Sequence, residues 1–408
     1  MRTRKILTIL SLVLVLGLLL SACGGAATEA TQPPAEAGPT EEMEEPVTEA
    51  VPTEEIEEPA TEAVATEEME ETPAEGAVQP ASEIIIYHWS EYIDPEIYTM
   101  FEDEFGIAVS EDNFSSNEEL LAKLQGGATG YSLIVPSDYT VSIMKEEGML
   151  APLDHENVPN LSNLSDRFRD LPYDPGNEYC APYQWGTTGL GYIDGEVEEP
   201  TSWAVLFEPD PEAAYFGRYT MLDDVRESFA AALVYLGYDI NTTDEAQLEE
   251  AKNLLIQAKA GLAGFDSDTF EDLLASGENL LAHGWNGDFL VAQEENENIA
   301  YTIPQEGGVT WVDNICIPST VSPEEKLAAE MFIDFLLRPD IGAMLSEYNY
   351  YASPNAAAEE NLDEEFLSDP TVYPPPEVLE KLQFIRPVGE MESEYQRLFD
   401  EVKSAPAP

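Results

Sequence analysis

Basic residues are scarce in this chain: 17 Lys and Arg stand against 82 Asp and Glu, His occurs only three times, and the formal charge is −65. Nucleic acid binding needs a basic footprint, and an anionic membrane surface would repel such a protein. Both partners are therefore excluded, and a cationic one is the natural counterpart. Two physical readings of the imbalance stay open, steering of a cationic ligand and the acid-rich surface of a chain adapted to high salt. Cysteine is also scarce, with three in 408 residues. Neither Cys180 nor Cys316 stands at ligand spacing from His88, His155 or His283, so no zinc site and no other cofactor is expected. Both cysteines fall in strand-like segments. Nothing in the sequence brings their Cα atoms within bridging reach, and two separately buried thiols are expected ahead of a disulfide.

Long apolar runs are missing as well. The run at 6–20, broken by Thr8, Ser11 and Gly17, follows Arg2, Arg4 and Lys5 and closes on Leu20-Ser21-Ala22-Cys23-Gly24. A run so short with those flanks reads as a secretory signal and not as a membrane span. Small residues before a cysteine are similar to a bacterial lipobox, so 1–22 is expected to be a lipoprotein signal peptide. Cys23 would then be the lipidated first residue. Segment 23–82 lacks aromatic and basic residues almost entirely, being built of Ala, Pro, Thr and Glu with an imperfect thirteen-residue repeat beginning at Pro39. A repeat this acidic and proline-broken cannot bury a core, so a disordered linker is expected. It serves as a spacer from the membrane or is a neutral insert. The mature protein would work outside the cytoplasmic membrane, held to its outer face by lipid or free in a periplasm.

From residue 83 onward strand and helix patterns alternate, which points to an α/β layer architecture with a mainly parallel sheet. Ile84, Ile85, Ile86 and Tyr87 read as a strand buried on both faces, ending in Trp89-Ser90-Glu91-Tyr92. A second buried strand at 131–135 runs into Pro136-Ser137-Asp138-Tyr139. The glycine-rich extended segment 179–192 suggests a crossing between lobes or a close backbone approach. A short strand at 219–222 precedes Asp223-Asp224-Val225-Arg226-Glu227 at a helix start. There Asp224 and Glu227 share the first turn, and favourable capping explains them as readily as a ligand does. Further on, a strand ends in Trp285-Asn286-Gly287-Asp288. A hairpin of 300–303 and 309–317 is expected to present Trp311 and Asp313 on one face, and Tyr351 lies in a loop after a helix.

Collected, these segment ends supply Trp89, Tyr92, Tyr139, Trp285, Trp311 and Tyr351 with Glu91, Asp138, Asp224, Glu227, Asp288 and Asp313, and no basic residue. Aromatic faces attract organic cations and pack methylene chains, while carboxylates pair with ammonium groups. An extended polyamine fits both halves of the pattern. A sugar would not need unpaired acids, and a metal would not need tryptophans.

The ordered set Trp89-Ser90-Glu91-Tyr92, Val135-Pro136-Ser137-Asp138-Tyr139, Pro182 to Gly189, Asp223 to Glu227, Trp285 to Asp288, Trp311 to Asp313, Phe335 to Pro339 and Tyr351 to Asn355 resembles the spermidine/putrescine-binding proteins of bacterial ABC importers. That resemblance spans nearly all of 83–408. It implies a two-lobed type II periplasmic-binding protein fold with an interlobe ligand cleft, lobe 1 being 83–187 with about 287–340 and lobe 2 being 188–286 with about 341–408. The implied function is capture of putrescine or spermidine and delivery to an ABC permease by a monomeric receptor that is not an enzyme. Polyamine-contacting positions implied for this chain are Trp89, Ser90, Tyr92, Ser137, Tyr139, Asp224, Glu227, Trp285, Asp288, Trp311, Asp313, Tyr351 and, by the tail, Gln383. His88 stands where the family usually has Asn. No aromatic precedes Ala263-Gly264-Phe265 where some spermidine binders carry one, which leans toward a diamine. Two rival readings are a receptor of the same fold for another cationic solute and a secreted glycosidase using Asp224 and Glu227. Two acids on one helical turn cannot flank a scissile bond from opposite sides.

Overall fold

The computed structural model describes residues 78–408. The expected signal peptide, Cys23 and the linker up to residue 77 lie outside the described residues. Just before the first strand, the Ala81 N–H donates to the Glu324 carbonyl at 2.9 Å.

Strand β1 (Glu83–His88) lies between parallel neighbours β2 (Ala108–Asn113) and β3 (Leu133–Ile134). Ile84 and Ile86 are fully buried, and each contributes about 1.5–3 kcal/mol by leaving water. Three helices serve these strands: α1 (Pro95–Phe105), α2 (Asn117–Gln125) and α3 (Asp138–Glu146). The Asp94 side chain caps α1 ahead of Pro95, and Gly106 closes it at φ 70°, a left-handed conformation that glycine adopts without a Cβ penalty. The buried face of α1 sets Phe101 edge-on against Phe332.

Strand β4 (Cys180–Ile193) is buried along all fourteen residues. Beyond it β5 (Tyr219–Met221) takes β6 (Gly264–Phe265) and β7 (Leu281–Trp285) as parallel partners. Helices α4 (Val225–Tyr235), α5 (Glu245–Ala258), α6 (Phe270–Ala275) and α7 (Asn286–Gln293) follow the strands of this group. The chain then forms β8 (Ile299–Thr302), β9 (Gly308–Cys316), α8 (Pro323–Leu336), α9 (Pro339–Asn349), β10 (Leu382–Gln383) and α10 (Glu392–Ser404).

Strand order is β2-β1-β3-β9-β4-β7-β5-β6 in one mixed sheet. Its two ends are parallel, as expected, but β3/β9, β9/β4 and β4/β7 are antiparallel. The centre is therefore built from two strands that serve both ends. Helix α8 packs on β1, α9 packs on α7 and α8, α7 packs with β4, β7 and β8, and α10 packs on α4 and α5.

Two expectations are corrected here. Segments 300–303 and 309–317 do not form a hairpin. Thr188 of β4 is flanked by Trp285 of β7 and Val309 of β9, and residues 190–192 by β7 and β8. Strands β8 and β9 thus lie end to end along one edge of β4, whose length gives both a partner. Cys180 and Cys316 are not separate thiols either. They face each other across β4 and β9 with Cα atoms 4.5 Å apart and are joined by a disulfide. Sheet pairing closes a separation of 136 residues that no local pattern reveals.

Glycines of β4 make room for rings. A Cβ on Gly186 would sit 2.6 Å from the Trp311 ring, and one on Gly191 would collide with Phe289. The close approach expected of this segment is real.

Candidate functional site

Every parallel strand of the two sheet ends delivers residues at its carboxyl end to a common place, β2 through Phe114 and Asn117. β1 leads into Trp89, Ser90, Glu91 and Tyr92, and β3 into Ser137, Asp138 and Tyr139. From the other end β5 leads into Asp224 and Glu227, β6 into Ser267, Asp268 and Glu271, and β7 into Trp285 and Asp288. Trp311 and Asp313 come from the middle of β9 and Tyr351 from the loop after α9. Together they line an open cleft of about 170 Å³. Crevices at the carboxyl ends of strands are where open α/β sheets bind ligands, because the connecting loops converge there.

Twelve of the thirteen residues singled out from the sequence line this cleft. Gln383 does not: it pairs with Val309 as part of β10, and Ile385 reaches the cleft instead. Phe114, Asn117, Ser267, Asp268, Glu271, Tyr348, Asn349 and Val291 also line it. Sequence reasoning missed these because their segments read as ordinary helix starts or apolar faces. No Lys, Arg or His is among the lining residues.

Aromatic rings form the walls. Trp89 meets Trp285 edge to face at 5.5 Å between centroids, joining residues that follow β1 and end β7. Trp311 meets Tyr351 at 5.0 Å, and Tyr351 meets Tyr92 at 5.6 Å. The Trp89 indole donates to the Val135 carbonyl at 3.1 Å, which fixes its ring plane. Tyr350 ends α9 at φ 57°, a left-handed turn rare for a non-glycine residue, and so directs Tyr351 inward. Trp311 Nε1 is buried without a partner.

Carboxylates fill the floor. Asp313 accepts from the Tyr92 hydroxyl at 2.8 Å and from Ser137 Oγ at 2.6 Å, and Asn117 in turn donates to Ser137 Oγ at 2.9 Å. Asp224 accepts from the Glu227 N–H at 2.9 Å, so it is the cap of α4 as well as a lining residue. Glu227 accepts from Thr188 Oγ1 at 3.1 Å through one oxygen and leaves the other buried and unpaired. Asp138 accepts from the Val312 N–H at 3.1 Å. Arg226, adjacent in sequence, points away to Glu392 and the Arg386 carbonyl.

Burial without a cationic partner disfavours the ionised forms. Desolvation pushes Asp313 up to about 7 against the pull of its two hydroxyl donors. Desolvation, with repulsion from Glu227, brings Asp224 to about 7. Glu227 rises to about 8, again chiefly by desolvation, with Asp138 and Asp313 adding to it. Asp138 rises to about 8 and Asp288 to about 7 for the same first cause. Each of these acids is held ready to gain a proton or a cation.

Among known proteins, the profile described as bacterial extracellular solute-binding protein matches residues 96–374. The spermidine/putrescine-binding periplasmic protein of Escherichia coli strain K12 is 37% identical over 325 residues, covering 79% of this chain and 91% of its own. A putrescine-binding periplasmic protein of the same strain is 34% identical over 314 residues, covering 73% and 84%. A solved structure described as a putative spermidine/putrescine ABC transporter from Listeria monocytogenes superposes with a TM-score of 0.75 at 37% identity, covering 79% of this chain and 99% of that one.

Proposed function

The chain belongs to the bacterial extracellular solute-binding proteins, and we propose that it captures a polyamine, putrescine or spermidine, and delivers it to an ABC permease. It has the type II periplasmic-binding fold of its structural relatives. The observation that carries the ligand is a cleft walled by aromatic rings, floored by buried carboxylates and free of any Lys, Arg or His. Methylene segments would lie between Trp89, Trp285, Trp311 and Tyr351, and ammonium groups would pair with Asp313, Asp224, Glu227 and Asp288. Ser90, Tyr92, Ser137 and Tyr139 complete the proposed contacts, and Gln383 is left out of them.

Residues from both parallel ends of the sheet touch the same cleft, so ligand favours the state in which they are close, and closure follows as a population shift. We draw the lobes by packing: β1–β3 with α8 on one side, and β5–β8 with α4–α7 and α10 on the other, α9 touching both α7 and α8, in place of boundaries at 287 and 341. Strands β4 and β9 run between. Binding without catalysis is supported by the direct contact of Asp224 with the Glu227 backbone, which leaves the pair on one side of the cleft. Anchoring through Cys23 at the outer face of the membrane and a monomeric state are parts of the same proposal.

Calorimetric titration of the purified protein with putrescine and with spermidine tests it. Saturable heat at micromolar ligand or below is expected, and its absence for both amines would refute the reading.

A further inference from the structure

Arg226 is 1% exposed, yet it lines no part of the cleft. It stands in the first turn of α4 between Asp224 and Glu227, and its guanidinium turns toward the tail of the chain. There it donates to the Arg386 carbonyl at 3.2 Å, to Glu392 Oε2 at 3.1 Å and to Asn241 Oδ1 at 3.0 Å. Its Nε is buried without a partner. Two rings lie within cation–π reach of its Cζ, that of Tyr395 in α10 at 4.7 Å and that of Tyr139 at 5.6 Å. Tyr139 belongs to the β1–β3 side, so this second contact crosses between the two sides of the cleft.

Tyr139 is held a second time, by its hydroxyl, which donates to Glu118 Oε1 at 3.0 Å. Glu118 sits in the first turn of α2, does not line the cleft, and leaves its other oxygen buried and unpaired. It borders a separate groove together with Glu119, Asp223 and the Lys403 that pairs with Asp223. One buried cation thus stands among Asp224 and Glu227 of its own helix, Glu118 from α2 and Glu392 from α10. Desolvation raises Glu118 to about 8, repulsion from Asp224 adds to the rise, and Arg226 draws both acids back. Tyr139 and Tyr395 carry no charge and offer it their ring faces.

We propose that Arg226 and Glu118 are positioning residues for ligand capture: neither touches the amine, but between them they hold Tyr139 across the cleft and set the charge on Asp224, which fixes the pH range over which the cleft accepts a cation. The inference rests on the polyamine reading for its ligand and assigns that site a control built outside it, a cation anchored by the tail. Without Arg226, Asp224 keeps its proton to higher pH and an ammonium finds no charge there. Without the charge of Glu118, Asp224 ionises more readily. The two substitutions therefore act with opposite sign, whereas residues that merely support the fold would change affinity by a factor independent of pH.

The test is calorimetry with putrescine and spermidine between about pH 5.5 and 9 on wild type, Arg226→Gln, Arg226→Lys and Glu118→Gln, reading the pH at which affinity is half lost, a value independent of the folded fraction. Arg226→Gln is expected to move that midpoint up by about one unit, a loss of roughly tenfold in affinity near neutral pH, and Arg226→Lys, which keeps the charge, should restore it to within about 0.3 unit of wild type. Glu118→Gln keeps an acceptor for the Tyr139 hydroxyl and should move the midpoint down by about 0.5 unit, so it carries the test even where Arg226→Gln folds poorly. Midpoints that coincide with wild type within about 0.2 unit, or that move in the same direction in Arg226→Gln and Glu118→Gln, overturn the assignment. Denaturation of the ligand-free proteins reads the same coupling without any amine. An acid raised further on folding loses its stabilising contribution up to a higher pH, so the gap between Arg226→Gln and wild type should widen as pH rises from 6 to 9. A gap that stays constant overturns the role of Arg226. Failure of the wild type to bind either amine, with the gap widening as expected, would instead sink the polyamine reading and leave the coupling standing.

Discussion

Replacing Asp313 by Asn should produce two effects of opposite sign. The carboxylate is 4% exposed and takes both of its hydrogen bonds from hydroxyls, those of Tyr92 and Ser137. Its folded pKa of about 7 lies above the value near 3.9 of an unfolded aspartate. A group raised on folding stabilises the ligand-free protein fully below its unfolded pKa and loses that contribution as pH climbs through the folded one. At about 1.4 kcal/mol per pKa unit, the loss between pH 4 and pH 8 is ~4 kcal/mol. Asn has nearly the same shape but offers one acceptor oxygen where two are used, a pH-independent cost of about 1 kcal/mol. Ligand-free Asp313→Asn should therefore be more stable than wild type by ~2–3 kcal/mol at pH 8 and slightly less stable at pH 4.5. Polyamine affinity should fall by ~2–5 kcal/mol at pH 8, because an ammonium loses its buried partner. Denaturant unfolding at both pH values, with and without putrescine, measures all of this. A stability difference between variant and wild type that does not change with pH would refute the reasoning, since a buried ionised carboxylate must carry a pH-dependent cost.

The same groups make binding pH-dependent. Asp224, Asp313 and Asp288 near 7 and Glu227 near 8 take up protons in the free cleft as pH falls from 8 to 6, so the dissociation constant should rise across that window, as isothermal titration at several pH values would record. Asp224→Ser keeps a capping oxygen for the Glu227 N–H while removing the charge; at pH 4 or below, where the wild-type carboxyl is largely protonated, it should unfold within about 1 kcal/mol of wild type, and at pH 8 it should lose polyamine affinity at least tenfold, whereas Asp224→Ala loses the cap as well. Trp285→Ala should cost about 0.5–2 kcal/mol of binding through the lost ring face, read by the same titration. Removing the Cys180–Cys316 bridge by double substitution to Ser should lower unfolding free energy by up to ~5 kcal/mol, given the 136 residues it closes, as chemical denaturation would report.

The strand and helix pattern was legible because each element satisfies its own local rules: Asp94 before Pro95, Ser116 before Asn117, Asp224 before Val225, and runs of β-branched residues between them. Most of the cleft was legible too, because polar and aromatic clusters at strand ends repeat along the chain. Legibility stopped where a residue's partner is remote. The expected hairpin failed because a pattern at 300–317 cannot reveal that β4 is long enough to pair both segments. The disulfide depends on a strand register set by packing. Gln383 was assigned by likeness to a motif whose surroundings differ in this tail, and its backbone is spent on β10. Glu271 and Ser267 were hidden among 82 acids and ordinary loop residues, and only their lack of partners singles them out.

Sequence by itself determined the elements, their order, the sign of the partner's charge and the residue types that would meet it, because propensity, capping and net charge are local or additive. The tertiary structure alone decided which carboxylates are buried without partners, since desolvation depends on what the rest of the chain packs around a group. That burial raises their pKa values and makes a cation the favourable occupant of the cleft.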